Sequence, residues 1–260
     1  MSLYEHFRQE EQPFVDQVLE WKRLALDQYS VKVTDFLDPR ERYILESLVG
    51  KSNDIHFKFW EGYNEIERTR GLLYPSYFEP VNEDFNVQCF QLEYPHKFVS
   101  VQHPDVLGAL MNLGIKREKF GDIIVNDKTV QLVVAKEISD YVEMNFTSVG
   151  KANVYLQKIN HSELQEPLSD SWDEGYGTVS SLRIDAVLAE AFRLSRSKVV
   201  PYIKGKKVKL NWKLIEQTSS EVQQGDTISI RGLGRLKLLQ IDGQTKKGKW
   251  KITVGIKKSK

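Results

Sequence analysis

Apolar residues recur at three- and four-residue spacing over 14–26 (Phe14, Val15, Val18, Leu19, Trp21, Leu24, Ala25, Leu26), behind Pro13, a favoured first-turn residue. That spacing predicts an amphipathic helix. Asp38-Pro39 opens a second helix carrying Tyr43, Ile44, Leu45, Leu48 and Val49, with Gly50 as its stop. From residue 55 the period changes. Ile55, Phe57 and Phe59 alternate with polar neighbours as a strand does, and a helical turn is expected over 65–70. A regular series follows: strand 86–93, helix 104–113, strand 122–125, a turn at Asn126-Asp127, strand 129–135, helix 137–146 and a strand near 150–158. The order β-α-β-β-α-β is that of a ferredoxin-like, split βαβ domain.

Residues 161–180 lose periodicity and collect Ser, Asp, Glu, Gly and Pro, which predicts a linker. The expected organisation is an α+β protein in four parts. These are a helical region with one strand (1–75), a ferredoxin-like domain (76–160), the linker (161–180) and a C-terminal domain (181–260).

Charge changes this picture. Residues 180–260 hold 19 Lys+Arg against 6 Asp+Glu, while the preceding residues hold 18 against 30. The near-neutral total of +1 hides the asymmetry. A basic segment that keeps apolar periodicity reads as a folded domain that meets phosphates. One cysteine (Cys89) and five histidines offer no zinc-ligand spacing, and no apolar run is long enough to span a bilayer. No signal peptide, metal, cofactor, membrane or small-molecule substrate is expected, and the cytoplasm is the expected compartment.

The basic domain carries a motif series. Leu182-Arg183-Ile184-Asp185 is followed by Ser195-Arg196-Ser197-Lys198, with Ser195 placed to cap a helix and the basic residues in its first turns. Then come Ile203-Lys204-Gly205, Val208-Lys209-Leu210-Asn211 and Gly225-Asp226-Thr227-Ile228. In this order the series resembles the S4 RNA-binding domain, in which two helices pack on a small sheet in an αL shape. The resemblance implies RNA contacts by Arg183, Arg196, Lys198 and Lys204 on the helical surface, and by Lys206, Lys207, Lys209 and Lys213 beside the strand. Asp185 is expected to pair with a neighbouring basic group. Two features depart from the generic pattern. Pro201 should kink or shorten the second helix, and Trp212 stands where a glycine usually follows the asparagine, which alters the turn expected there.

Asn211-Trp212-Lys213 and Arg231-Gly232-Leu233-Gly234-Arg235 resemble a narrower family, the YlmH-type S4 proteins of Gram-positive bacteria. So do Phe36-Leu37-Asp38-Pro39-Arg40-Glu41, Gly62-Tyr63, Glu67-Arg68, Lys97-Phe98 and the run from His103 to Ile123. The resemblance implies association with the large ribosomal subunit, with rRNA and tRNA as partners. It also implies a role in ribosome-associated quality control, holding peptidyl-tRNA while stalled chains are tailed. Arg231 and Arg235, flanking glycines, are expected RNA contacts. Lys116, Arg117 and Lys119 are candidates for a secondary contact, with surface salt bridging as the alternative.

Thr129–Ala135 has no aromatic residue, so the ferredoxin-like domain is not expected to read single-stranded RNA as RNA-recognition motifs do. Phe57, Phe59, Trp60 and Tyr63 are expected in the core, and the tail Lys257–Lys260 in solvent. No Gly-rich cofactor turn, synthetase signature or pseudouridine-synthase context is present. A non-catalytic, monomeric binding protein is therefore expected. The alternatives are an adaptor for cell-division or translation partners, or an RNA-modifying enzyme.

Overall fold

The computed structural model describes residues 7, 9–50, 54–64, 66–167 and 172–258. The chain divides into two compact units, 1–169 and 170–260.

The first unit opens with α1 (Gln12–Gln28), which buries Val15, Val18, Trp21 and Ala25 and ends at Tyr29 in a left-handed conformation. β1 (Lys32–Leu37) follows, a strand between the two expected helices, where none was expected. α2 (Pro39–Val49) starts from a capping box: the Asp38 carboxylate accepts from the backbone N–H of Arg40 and Glu41, and Glu41 accepts from the N–H of Asp38. β2 (Ile55–Phe59) and β3 (Thr69–Pro75) complete an antiparallel sheet ordered β1-β3-β2. The helical turn expected over 65–70 is replaced by irregular chain at 66–68 and the start of β3. The N–H groups of Glu67 and Arg68 turn to the Asp122 carboxylate, at 2.7 and 3.0 Å, and so leave no helical ladder.

The ferredoxin-like part contains β4 (Val87–Glu93), α3 (His103–Asn112), β5 (Phe120–Asn126), β6 (Thr129–Ala135) and α4 (Ser139–Asn145). The single strand expected near 150–158 is divided into a small hairpin, β7 (Ser148–Val149) and β8 (Ala152–Asn153), and then β9 (Tyr155–Ile159). The sheet order is β5-β6-β4-β9 with every pair antiparallel, as the split βαβ arrangement requires. α3 and α4 cover one face, packing Val106, Leu110 and Val142 on Phe90, Leu132 and Val134. The opposite face is covered as well. Cys89, Val133 and Ala135 meet Phe36, Trp60 and Leu72 of the N-terminal part. Gln131, buried on the same strand, bonds the backbone of Glu163 and Gln165. The parts expected as separate regions 1–75 and 76–160 thus each keep an apolar cluster of their own and meet across a third that both supply.

The second unit contains β10 (Asp173–Val179), α5 (Ile184–Ala191), α6 (Arg196–Lys204), β11 (Val208–Leu210), β12 (Lys213–Leu214), β13 (Thr227–Ile230), β14 (Gly234–Gln244) and β15 (Trp250–Lys258). They form an antiparallel sheet ordered β10-β15-β14-β13-β11-β12, with both helices packed on one face. Residues 173–179, expected within the linker, therefore form a strand. Its own side chains lack apolar alternation. The strand is held by the edge of β15, which it pairs from Asp173 to Val179, and Gly177 leaves room for the Glu190 side chain of α5.

Candidate nucleic-acid interface

Ser195 occupies the N-cap of α6 with extended backbone, but its hydroxyl lies 2.8 Å from that of Ser197 and makes no cap bond. Arg196 donates to the Ser180 hydroxyl at 3.0 Å, and Arg196 and Lys198 are both exposed. At about 100° per residue, Arg196 and Lys204 lie roughly 80° apart around the helix, whereas Arg196 and Lys198 lie roughly 160° apart. Arg196 and Lys204 share one flank; Lys198 looks to the other. α6 runs through Pro201 to Lys204. Pro201 is exposed, and the carbonyl it leaves without an N–H partner, that of Ser197, lies on the outward side, where water can satisfy it.

Arg183 holds the buried Asp185 at 3.1 and 3.3 Å, so the carboxylate expected to pair with a basic neighbour does so. Lys206, in a left-handed conformation, stands 3.9 Å from Glu216, and the Lys207 ammonium sits over the Tyr202 ring. The Lys207 carbonyl accepts from the N–H of Arg231, so Lys206, Lys207 and Arg231 gather at one end of the sheet. Arg193, exposed and left-handed between the two helices, is a further cation of this unit; its charge was visible in the sequence, but its turn position was not.

Strand alternation separates Lys209 from Lys213. Leu210 faces Ile228 on the helix side and Lys213 is its cross-strand partner, while Lys209 faces Ser229 on the other side. Between them lies a two-residue turn. Asn211 and Trp212 have φ of +47° and +64°, the left-handed pair that a tight primed turn demands. The turn is thus kept without the glycine. Asn211 holds it by accepting from the N–H of Thr227 and donating to Asp226. Arg235 and Lys257 lie on β14 and β15, opposite each other; Lys257 is exposed, as expected of the tail, but stands on a strand. Ser259 and Lys260 lie outside the described residues.

Two members of the secondary basic spot are committed within the first unit. Arg117 donates to the carbonyls of Phe120 and Gly121 and stacks on the Phe120 ring. Burial, with Arg68 nearby, lowers its guanidinium to about 10. Lys119 bridges Asp35 at 2.6 Å and Glu137 at 3.1 Å. Only Lys116 of the three is exposed. The salt-bridging alternative describes Lys119, and carbonyl bonding describes Arg117. The face of the ferredoxin-like sheet that RNA-recognition motifs offer to bases is the one covered by Phe36, Trp60 and Leu72.

Two helices on one face of an antiparallel sheet, with cations at the second helix and its following turn, define an S4-type RNA-binding unit. A family model described as "S4 domain" matches residues 182–228. Models described as "YlmH, N-terminal" and "Putative RNA-binding domain in YlmH" match residues 10–78 and 80–163. The chain is 48% identical over 252 residues to "Ribosome-associated protein quality control protein P2" of Bacillus subtilis (strain 168), covering 97% of each. It is also similar to the solved "Cell division protein ylmH from Streptococcus pneumoniae", at 30% identity and a TM-score of 0.54, over 64% of this chain and 100% of that one. The chain belongs to the YlmH family.

Proposed function

We propose that this protein is a non-catalytic, monomeric RNA-binding factor of the cytoplasm that associates with the large ribosomal subunit, where it holds peptidyl-tRNA in ribosome-associated quality control. The observation that carries this reading is the likeness to the Bacillus quality-control protein across 97% of both chains, joined to a second unit rich in exposed cations. Arg183, Arg196, Lys198, Lys204, Lys206, Lys207, Lys209, Lys213, Arg231 and Arg235 supply the contacts, and Lys116 is the remaining candidate on the first unit. A positioning factor works by differential affinity: it must bind the subunit with peptidyl-tRNA more tightly than the empty one, since equal binding shifts no equilibrium. The acidic first unit is repelled by phosphate and limits non-specific binding. Sedimentation with large subunits, empty or carrying peptidyl-tRNA, tests this. Preference for the occupied subunit is expected, and equal affinity removes the positioning role. A protein-dependent modified nucleotide would make the protein an enzyme.

The Streptococcus relative's name as a cell division protein favours a second reading, an adaptor for a cell-division partner. Partner capture that survives both RNase and deletion of the basic unit would support it.

A further inference from the structure

The sheet of the second unit has two faces, and among the described residues only one carries helices. Val208, Ile228, Ile230, Leu236, Ile252 and Val254 point to α5 and α6. Alternation sends their neighbours to the opposite side. There Lys209 faces Ser229, Ser229 faces Arg235, and Arg235 faces Lys257, so one cross-strand row runs over β11, β13, β14 and β15. Lys237 lies in the adjacent row opposite Thr227, and Lys251 stands opposite Thr178. Lys209, Arg235, Lys251 and Lys257 are exposed, and Lys237 is half-buried. Four of these five cations belong to β14 and β15, beyond the residues 182–228 that match the S4 family model.

Two acidic groups share this face: Glu174 stands on the edge strand β10 in the row of Lys237, separated from it by Gly255 and the Trp172 side chain packed there, and Asp242 accepts from Gln240 and Thr253. The hairpin ends in a tied turn: Thr245 donates to the Lys249 carbonyl at 2.7 Å, and its hydroxyl accepts from the Lys249 N–H at 3.1 Å. That turn presents exposed Lys246, Lys247 and Lys249. Tyr176, 80% exposed and paired with Thr253, adds an aromatic ring to the same face.

We propose that this helix-free sheet face is a second binding site for an RNA phosphate backbone, so that the unit holds one RNA segment on each side of its sheet. The inference rests on the RNA-binding reading above. Cations spaced along strands suit an extended polyanion, since each neutralised phosphate releases counterions and like charges in the row repel less when an anion lies along them. The cations of α6 lie on the other side of a helix-on-sheet layer, so one backbone segment does not serve both. The hairpin would give the unit reach along the second segment.

The test compares full-length wild type with Lys237→Gln/Lys251→Gln on the sheet face and Arg196→Gln/Lys198→Gln at the helix. Binding to purified large ribosomal subunits is measured across a salt series, with hydroxyl-radical footprinting and thermal melts to verify folding. The sheet-face pair is expected to lower affinity about fivefold to tenfold and the log–log salt slope by about 2, as the loss of two phosphate contacts requires. It should also erase one footprint while leaving the one that the helix pair erases. Three results overturn the proposal: unchanged affinity and slope in the sheet-face pair, loss of the same footprint in both pairs, or tighter binding, which would mean that an acidic protein segment occupies the face. A parallel series on a generic RNA duplex separates the two readings. Binding to the duplex but not the subunit, with the slope still lowered by the sheet-face pair, removes the ribosomal function and keeps the second site. Binding to neither removes both.

Discussion

Arg70 and Glu137 join the two halves of the first unit across 67 residues of sequence, with guanidinium-to-carboxylate contacts of 2.9 and 3.3 Å. Arg70 also donates to the carbonyls of Thr34 and Asn86, so a side chain only 5% exposed is used in every direction. Arg70→Ala should destabilise the unit by about 3 kcal/mol, because carbonyls and a carboxylate lose their donor in a buried setting. Glu137, 42% exposed, is replaceable by water, and Glu137→Gln should cost only about 1 kcal/mol. Urea unfolding checks both; equal small losses would show that the two halves are held by apolar packing alone.

The same pair sets a pH dependence. Burial alone would raise the Glu137 carboxyl, but the hydrogen bonds from Arg70 and Lys119 hold it below its ordinary value. A depressed folded-state pKa gives stability that is complete above the unfolded value of about 4.3 and is lost as pH falls through the folded one. The stability gap between wild type and Glu137→Gln should therefore be larger at pH 7 than at pH 3. Asp122 works in the opposite sense. Burial raises it despite the bonds from Tyr63 and the Glu67 and Arg68 amides, so ionising it costs the folded state. A gap that widens on acidification would reverse the assignment for Glu137.

Cys89 is sealed between the ferredoxin-like sheet and the N-terminal part, and burial pushes its thiol up to about 12. Native protein at pH 8 should resist iodoacetamide, and urea should expose the thiol in step with unfolding. Labelling before the unfolding transition would mean that the cluster between the two parts opens locally.

The Asn211-Trp212 turn depends on two side-chain bonds and two left-handed residues. Asn211→Gly keeps the backbone and loses the bonds, at about 1 kcal/mol. Asn211→Ala adds the cost of a left-handed Cβ and should lose about 2 kcal/mol. Thermal melts of the two variants check the order, and identical melts would leave the backbone conformation without energetic weight.

A fragment of the basic unit must include β10. Trp172 packs on Gly255, and β10 covers the edge of β15. Residues 170–260 should fold and bind structured RNA with a salt slope of roughly 4–8 phosphates, whereas 181–260 should melt at lower temperature. A salt-independent affinity in the longer fragment would sink the electrostatic account.

Much of this protein was legible without coordinates because its signals are local. The capping box at Asp38 and Glu41, the apolar stripe from Val15 to Ala25 and the short apolar runs of β4 and β6 act within a few residues, where propensity and burial agree. The S4 motif, the family it belongs to and the charge asymmetry were equally plain, since they are written in residue identity and order. What tertiary structure decided was everything set by a distant partner. β10 is a strand because β15 offers it an edge, and 66–68 are not helical because Asp122 takes their N–H groups. Arg117 and Lys119 look like Lys116 in sequence, yet carbonyls and carboxylates from other elements draw the first two inward. The ten basic residues nominated for RNA read as one surface along the chain. Pairing register sends Lys209 and Arg235 to the side of the sheet opposite α6, because a strand alternates its side chains between two faces and only the assembled sheet says which face is which.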